Sequence, residues 1–414
     1  MVFARHRLTS FLVHHHSAYR VISAVTYDWG GRGTYVKANR PRRLEVLTMV
    51  DLANPNNDFE VVSPPGDTVT AMEFSPAASQ KTFLVAGSWD NTVRCWEVQE
   101  IGQTIPKSMR SMTMPIYDVC WDGDGTKVFT ASYNNQVECW DLEGNRTMLV
   151  GTHDGPVRTC HWVASSPYTC VMTGSWDGTL KFWDLRSPNP LLKINVGEKV
   201  YCADVIYPHV VVGTETNNII TYNISVREML ASHSVSPLKY HTRCVAIYKH
   251  KTTQEPTGFC LGDIGGGIAI LSNFKQDPAE PVYSFDSHYR TIMGITPKRN
   301  IYSVNDIKFH PIHNGSFATV GSDATFAFWD MESHTRLKKS EILDQPIIKC
   351  CFNSNGQIFA CGSGFDWEVD YPVHGGRLRD TFSSEEVTQL AKYISDIERR
   401  AFGLTKLQCQ QLVK

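Results

Sequence analysis

Three groups of residues in this 414-residue chain have types and spacings that could do chemistry, and each must be weighed against a plainer use. The "DGDG" at Asp122–Gly125 imitates the start of a calcium loop, where closely spaced carboxylates wrap a hard cation. No bidentate Glu follows at the twelfth position and strand-like sequence flanks it, so a hairpin turn is expected instead. The "HHH" at His14–His16 could hold a metal, but no fourth ligand stands in pattern with it. Twelve cysteines are scattered with no C-x-x-C pair, and only Cys350 and Cys351 are adjacent; that spacing builds neither a disulfide framework nor a four-cysteine zinc site. No nucleophile is set beside a base. The residues therefore predict no enzyme, no metal and no cofactor.

The elements around these residues are those of a folded, water-facing protein. At 42% hydrophobic content the chain can bury a large interior, and no stretch approaches the roughly 18 consecutive apolar residues of a membrane span. The run Phe11–Val13 is too short for a secretory core, so a reducing compartment, cytosol or nucleus, is expected. The formal charge of -2 conceals an asymmetry. Residues 1–47 hold eight Lys and Arg (Arg5, Arg7, Arg20, Arg32, Lys37, Arg40, Arg42, Arg43) against Asp28 and Glu45, which makes that segment +6 and the remainder -8. Such a body is no general polyanion binder, although a local basic patch can hold nucleic acid.

One phrase recurs. "GSWDNTVRCWEV" at Gly87 returns as "ASYNNQVECWDL" at Ala131, "GSWDGTLKFWDL" at Gly174, "GTETNNIITYNI" at Gly213, "GDIGGGIAILSN" at Gly262, "GSDATFAFWDM" at Gly321 and a frayed "GSGFDWEV" at Gly362. The starts lie 39 to 59 residues apart, the period of four-stranded propeller blades rather than of helical solenoids. Within the third unit, "CVMTGS" reads as a strand, "WDGT" holds the Asp-Gly of a tight turn and "LKFWDL" returns as the next strand. The seven units predict an all-β, seven-bladed propeller over residues 51–372. Its last unit supplies three strands, and the early strand Phe59–Val62 completes that blade, leaving no open sheet edge.

These units resemble the WD-repeat family. In WD blades a third-strand aromatic, a second-strand Ser or Thr, a turn Asp and a His from the incoming loop form a buried hydrogen-bond chain. The resemblance assigns those roles to Trp183, Ser175, Asp177 and His153. A carboxylate beside a His looks catalytic, yet the chain of donors and acceptors is what lets these groups be buried, so the assignment is structural.

The stretches between repeats narrow the resemblance. "GQTIPKSM", "YCADVIYP", "SPLKYHTRCVAIYK", "PTGFCLGDI", "IYSVNDIKFHPIH" and "LDQPIIKCCFNSNGQIFA" are similar, in order from about Asp58 to Trp367, to the messenger-RNA export factor family of the nuclear pore. The resemblance implies a docking scaffold in the nucleus, at the nuclear envelope and in the cytoplasm. Its partners would be the GLEBS hairpin of an FG nucleoporin, Bub-type mitotic checkpoint proteins and, weakly, single-stranded RNA. It places partner binding at Lys239, Arg243 and Gly267, and nucleic-acid binding at Phe285, His288, Trp329, Asp330 and Arg336. This chain departs from the family at the first set, where the family's "LGSIEGRVAI" reads "LGDIGGGIAI": Gly267 replaces an Arg and Asp263 adds an acid against an acidic peptide. The flexible "GGG" also lowers strand rigidity there. In the second set Met331 and His334 replace basic residues. A diverged copy that has lost the GLEBS partner, or the substrate-receptor propeller of a ubiquitin ligase, are the alternative readings.

The ends carry a different texture. Residues 1–50 read as a basic, disordered extension whose acid-poor composition also permits a mitochondrial presequence. Over residues 380–414, Ser383 and Glu386 form a capping box, Val387, Leu390, Ile394 and Ile397 recur at helical spacing, and Gly403 precedes Thr405. This outline resembles the helix-turn-helix of pogo and Tigger type transposases. It stops inside the second helix, so no stable DNA binding is expected of it.

Overall fold

The computed structural model describes residues 22–26, 59–99, 103–164, 169–225, 230–274, 282–292 and 298–365. The described residues form β-strands and no helix. Six blades are each built from four strands consecutive in the sequence: blade 1 over Val69–Ser111, blade 2 over Ile116–Thr152, blade 3 over Val157–Asn195, blade 4 over Val200–Val235, blade 5 over Thr242–Asp286 and blade 6 over Val304–Lys339. Within each blade the order runs from a first, inner strand to a fourth, outer one, all antiparallel.

The expectation of seven repeat-built blades and a helical tail is thereby corrected. The repeat unit at Gly362 yields only two strands, Ile347–Phe352 and Ile358–Ser363, and makes no blade of its own. They are continued in one sheet by Ile22–Thr26 and then by Phe59–Glu60, so the early strand is two residues long and stands outside another strand. Ile22–Thr26 lies inside the segment expected to be a disordered extension. The rest of that extension, with His14–His16, and the expected helix-turn-helix over 380–414 lie outside the described residues.

The recurring phrase is explained by two local demands. At the hairpin joining the second and third strands one residue takes a left-handed backbone: Asn91 at φ 62°, Asn135 at 66°, Gly178 at 75°, Asn217 at 63°, Gly266 at 82° and Ala324 at 58°. Asn and Gly are the residues that accept this conformation at least cost. The leading Gly answers to packing, since a Cβ on Gly87 would lie 2.6 Å from Ile116 and one on Gly262 2.8 Å from Val304, each on the first strand of the following blade.

First strands of successive blades contact one another, and their edge N–H groups need acceptors. Carboxylates from the preceding blade supply them: Glu73 to Trp121 N (2.9 Å), Asp118 to Cys160 N (2.9 Å), Asp204 to Ile247 N (2.7 Å) and Asp306 to Cys350 N (3.1 Å). Burial pushes the Glu73 carboxyl up to about 7. The "DGDG" segment is a hairpin turn between Ile116–Trp121 and Lys127–Ser132, with Asp122 Oδ1 accepting from the backbone of Thr126 and Lys127.

Candidate docking and nucleic-acid interfaces

The residues expected to form the hydrogen-bond chain of blade 3 are brought together, with one substitution of role. Trp183 Nε1 donates to Thr173 Oγ1 (2.8 Å), Thr173 Oγ1 lies 2.9 Å from His153 Nε2, and His153 Nδ1 lies 2.9 Å from Asp177 Oδ2. Thr173, not Ser175, is the linking hydroxyl. Ser175 Oγ instead donates to Gly155 O and accepts from Asp177 N, which fixes the turn. Trp183 is paired across the hairpin with Val171, so its indole lies diagonal to Thr173 and four residues, roughly 13 Å, from Ser175. The three residues Trp176–Gly178 between the strands set that register, and this was the signal in the sequence that could have found Thr173.

Threonine, histidine and aspartate in this order have the geometry of an acyl-transfer triad. Thr173 is fully buried and its oxygen is already engaged by the indole, so no substrate can reach it. Burial holds the His153 imidazole below its ordinary value, keeping it neutral. Burial alone would raise the Asp177 carboxyl, but hydrogen bonds from His153, Thr179 and the Asp154 backbone outweigh it and hold the group well below the usual carboxylate range. The same relay recurs in blade 6, where Trp329 donates to Thr319 (3.0 Å), Thr319 meets His288 (3.0 Å) and His288 meets Asp323 (2.7 Å). Lys339 adds an ion pair to Asp323 at 3.0 Å.

An arc of aromatic rings crosses the upper ends of the blades, the ends that carry the second-to-third-strand hairpins. Trp89 meets Tyr117 edge-on at 5.9 Å; Tyr117 meets Tyr133 at 6.0 Å and Trp176 at 5.8 Å; Trp176 meets Tyr201 at 6.0 Å; and Tyr201 meets His241 at 5.0 Å. Tyr117 is buried and the others are half-buried. A bulge in the first strand of each blade sets Tyr117, Arg158, Tyr201 and Arg243 at that end, and Arg158 lies over the Tyr117 ring at 5.1 Å. Sequence reasoning missed this arc. Its signal was the aromatic after the second strand in "GSW", "ASY" and "GSW".

Comparison with known proteins gives this geometry a family. The WD domain, G-beta repeat pattern matches residues 60–97, 106–141 and 145–184. Protein Rae1 of Drosophila melanogaster is 54% identical over 314 residues, covering 76% of this chain and 89% of that protein. The mRNA export factors of Danio rerio and Xenopus tropicalis are 49% and 50% identical over 333 residues, 80% of this chain and 90% of each of theirs. The chain belongs to the mRNA export factor family.

Against that membership, the positions carried over from the mRNA export factor family divide into buried and accessible ones. His288 and Trp329 are buried members of the blade 6 relay, at 1% and 6% exposure. Phe285 is half-buried with its ring 4.8 Å from Trp329, Arg336 is exposed with its guanidinium 5.9 Å from that indole, and Asp330 accepts from Ser333. Beside them the Tyr283 and His334 rings stack at 3.5 Å. The seam between blades 5 and 6 thus offers Phe285, Tyr283, His334 and Arg336.

Lys239 is exposed over Tyr240 at 5.5 Å, and Arg243 is half-buried and donates to Ser303 at 3.0 Å. Gly267 is buried, its N–H donating to Asp263 Oδ1 at 2.7 Å, and a Cβ there would lie 3.1 Å from Asp263 Oδ2. Asp263 is itself buried and accepts from the backbone of Tyr240, Gly265 and Gly267, with its carboxyl raised by burial. It is therefore not an exposed acid facing a peptide. The Tyr240 ring fills the place a Cβ on Gly265 would need, so that position requires glycine. Among the described residues no group of His, Cys, Asp or Glu converges as metal ligands, and no helix is long and apolar enough to cross a membrane.

Proposed function

We propose that the protein is a non-enzymatic WD-repeat scaffold in messenger-RNA export, acting at the nuclear pore, in the nucleus and in the cytoplasm. Its upper aromatic arc takes a GLEBS-type nucleoporin hairpin and its blade 5–6 seam takes single-stranded RNA. The arc carries the reading: five aromatic residues from four blades, with Arg158 among them, form a band of the large amphipathic side chains that dominate protein-binding hot spots. The name of the Danio rerio and Xenopus tropicalis relatives, mRNA export factor, supports the messenger-RNA export role. Bub-type checkpoint proteins bearing a similar hairpin would meet the same arc.

Calorimetric titration with a GLEBS hairpin peptide tests the reading. Trp176→Ala is expected to weaken binding by at least about 2 kcal/mol, as loss of a central aromatic anchor does. The buried carboxylate beside Gly267 changes the design of the charge-restoring variant, since Gly267→Arg alone crowds Asp263. Asp263→Ser with Gly267→Arg removes that conflict and is expected to tighten binding by roughly 1.5–3 kcal/mol, the value of a charge-assisted contact. Absence of binding by the wild type and by this double variant would favour the second reading, a diverged copy without the hairpin partner, to which the Asp263–Gly267 pair points.

A further inference from the structure

The repeat spacing from Gly262 to Gly321 is 59 residues, longer than between any other two units, and the added length is a hairpin. Tyr289–Ile292 pairs with Lys298–Ile301 as a separate two-stranded sheet between the outer strand of blade 5 and the inner strand of blade 6. Across Tyr289–Ile301 the sequence holds Arg290, Lys298 and Arg299 and no acid, a local charge of +3 in a chain whose net charge is -2. The Arg299 guanidinium lies 3.7 Å over the Tyr289 ring. It also pairs with Asp286 at 2.9 Å, where the Arg299 and Asp286 side chains are 45% and 52% exposed, and so exposed a pair is weak enough for a phosphate to displace. Arg290 is half-buried, lies 5.3 Å over Tyr302 and donates to Asp323 O, which ties the hairpin to the hairpin turn of blade 6.

Asp286 ends the same strand that carries Tyr283 and Phe285, and its ion pair with Arg299 sets the hairpin beside that end of the seam. From Tyr283 stacked on His334, past Phe285 with Arg336 nearby, to Tyr289 under Arg299, aromatic faces alternate with guanidinium groups. An acidic peptide would use the cations but leave the ring faces idle. Unpaired nucleotides use both, stacking bases on aromatic rings while their phosphates meet cations.

We propose that the Tyr289–Ile301 hairpin extends the blade 5–6 seam into a continuous track for single-stranded RNA, with Tyr289 and Arg299 as its far stacking and phosphate contacts. This rests on the RNA reading of the seam given above.

The test uses the full chain and fluorescein-labelled oligouridylates of four and twelve nucleotides, read by anisotropy over a salt series. Tyr289→Ala and Arg299→Ala should each weaken the twelve-mer about three- to ten-fold and leave the four-mer within two-fold; Arg299→Ala should flatten the log K against log salt slope by about 0.7, the value of one phosphate contact. Arg299→Lys should keep the slope, and unchanged thermal melting should show that the hairpin variants fold. Arg336→Ala, in the seam, should weaken both probes. If Arg336→Ala weakens the twelve-mer while Tyr289→Ala and Arg299→Ala do not, the hairpin proposal fails and the seam reading stands. If the wild type binds neither probe, both fail. An oligoglutamate peptide that binds in an Arg299-dependent way, where the twelve-mer does not, would make the hairpin a peptide site and overturn the proposal.

Discussion

Blades 1 and 3 carry nearly the same eleven residues, Gly87–Glu97 and Gly174–Asp184, across their second and third strands, and diverge in the bonds beneath them. In blade 3 the indole and the turn acid are the two ends of one relay through Thr173 and His153. Blade 1 has Ala86 diagonal to its tryptophan, so Trp96 Nε1 donates to Val62 O (2.7 Å). Its turn acid Asp90 is served separately, by Gly66 N, by Thr92 and by Arg94. The shared phrase specifies the hairpin and its packing. Residues outside it decide whether the hairpin is wired to the strand behind it.

The largest expected effect lies in blade 6, which carries the blade 3 relay with an ammonium added. Asp323→Ala leaves His288, Thr325 and Lys339 without their shared acceptor, all of them buried or partly so, and should cost about 3–5 kcal/mol in chemical denaturation. Asp177→Ala, which strands no ammonium, should cost about 1–3 kcal/mol. Full stability of that variant together with loss of a specific activity would make the relay a functional site. Thr173→Val removes only the linking hydroxyl and should also cost about 1–3 kcal/mol, by leaving the Trp183 N–H and the His153 nitrogen unpaired. In blade 1, Asp90→Ala breaks bonds at a partly exposed turn and should cost about 0.5–1.5 kcal/mol. A loss equal to that of Asp177→Ala would erase the distinction between the two blades.

The smallest effect is a pH dependence. Asp177 is held below its ordinary range in the fold, so the unfolded chain binds more protons as pH falls through the ordinary carboxylate value near 4. Its contribution is complete above that value and is lost below it. The difference in melting temperature between wild type and Asp177→Asn should therefore be constant from pH 6 to 8 in this term and narrow below about pH 4. His153, kept neutral by burial, adds a loss that begins as pH falls below 6.5, whereas Glu73, raised to about 7, acts with the opposite sign from 4.5 to 7. The Glu73 term cancels when the variant is compared with wild type, whereas the His153 term changes because Asp177 is bonded to that ring, so the narrowing below pH 4 is the diagnostic window.

The repeat made the blades legible because strand alternation and turn chemistry are local. It could not place the closing sheet, since the pairing of Ile358–Ser363 with Ile22–Thr26 joins segments more than 300 residues apart and Ile22–Thr26 carries no part of the phrase. His288 and Trp329 were read as surface residues from resemblance to a nucleic-acid face. The register of Phe317 with Trp329 sets the indole beside Thr319, and His288 is buried between Thr319 and Asp323. Gly267 was read as a missing cation on a surface; the backbone bond to Asp263 makes it a buried cap.

By itself the sequence determined the hairpins, through Asn and Gly at left-handed turn positions, and the blade-to-blade contact, through a glycine where a Cβ would strike the next blade. The pairing of His153 with Asp177 in one buried network came from the resemblance to WD blades, and the structure forms it. Only the tertiary structure decided which hydroxyl completes that network, which aromatic rings remain at the surface, and that the long spacing before blade 6 is a cationic hairpin beside the end of the seam. The reason is geometric: a side chain's partner and exposure depend on register and on the neighbouring blade, and both are set by strands distant in the chain.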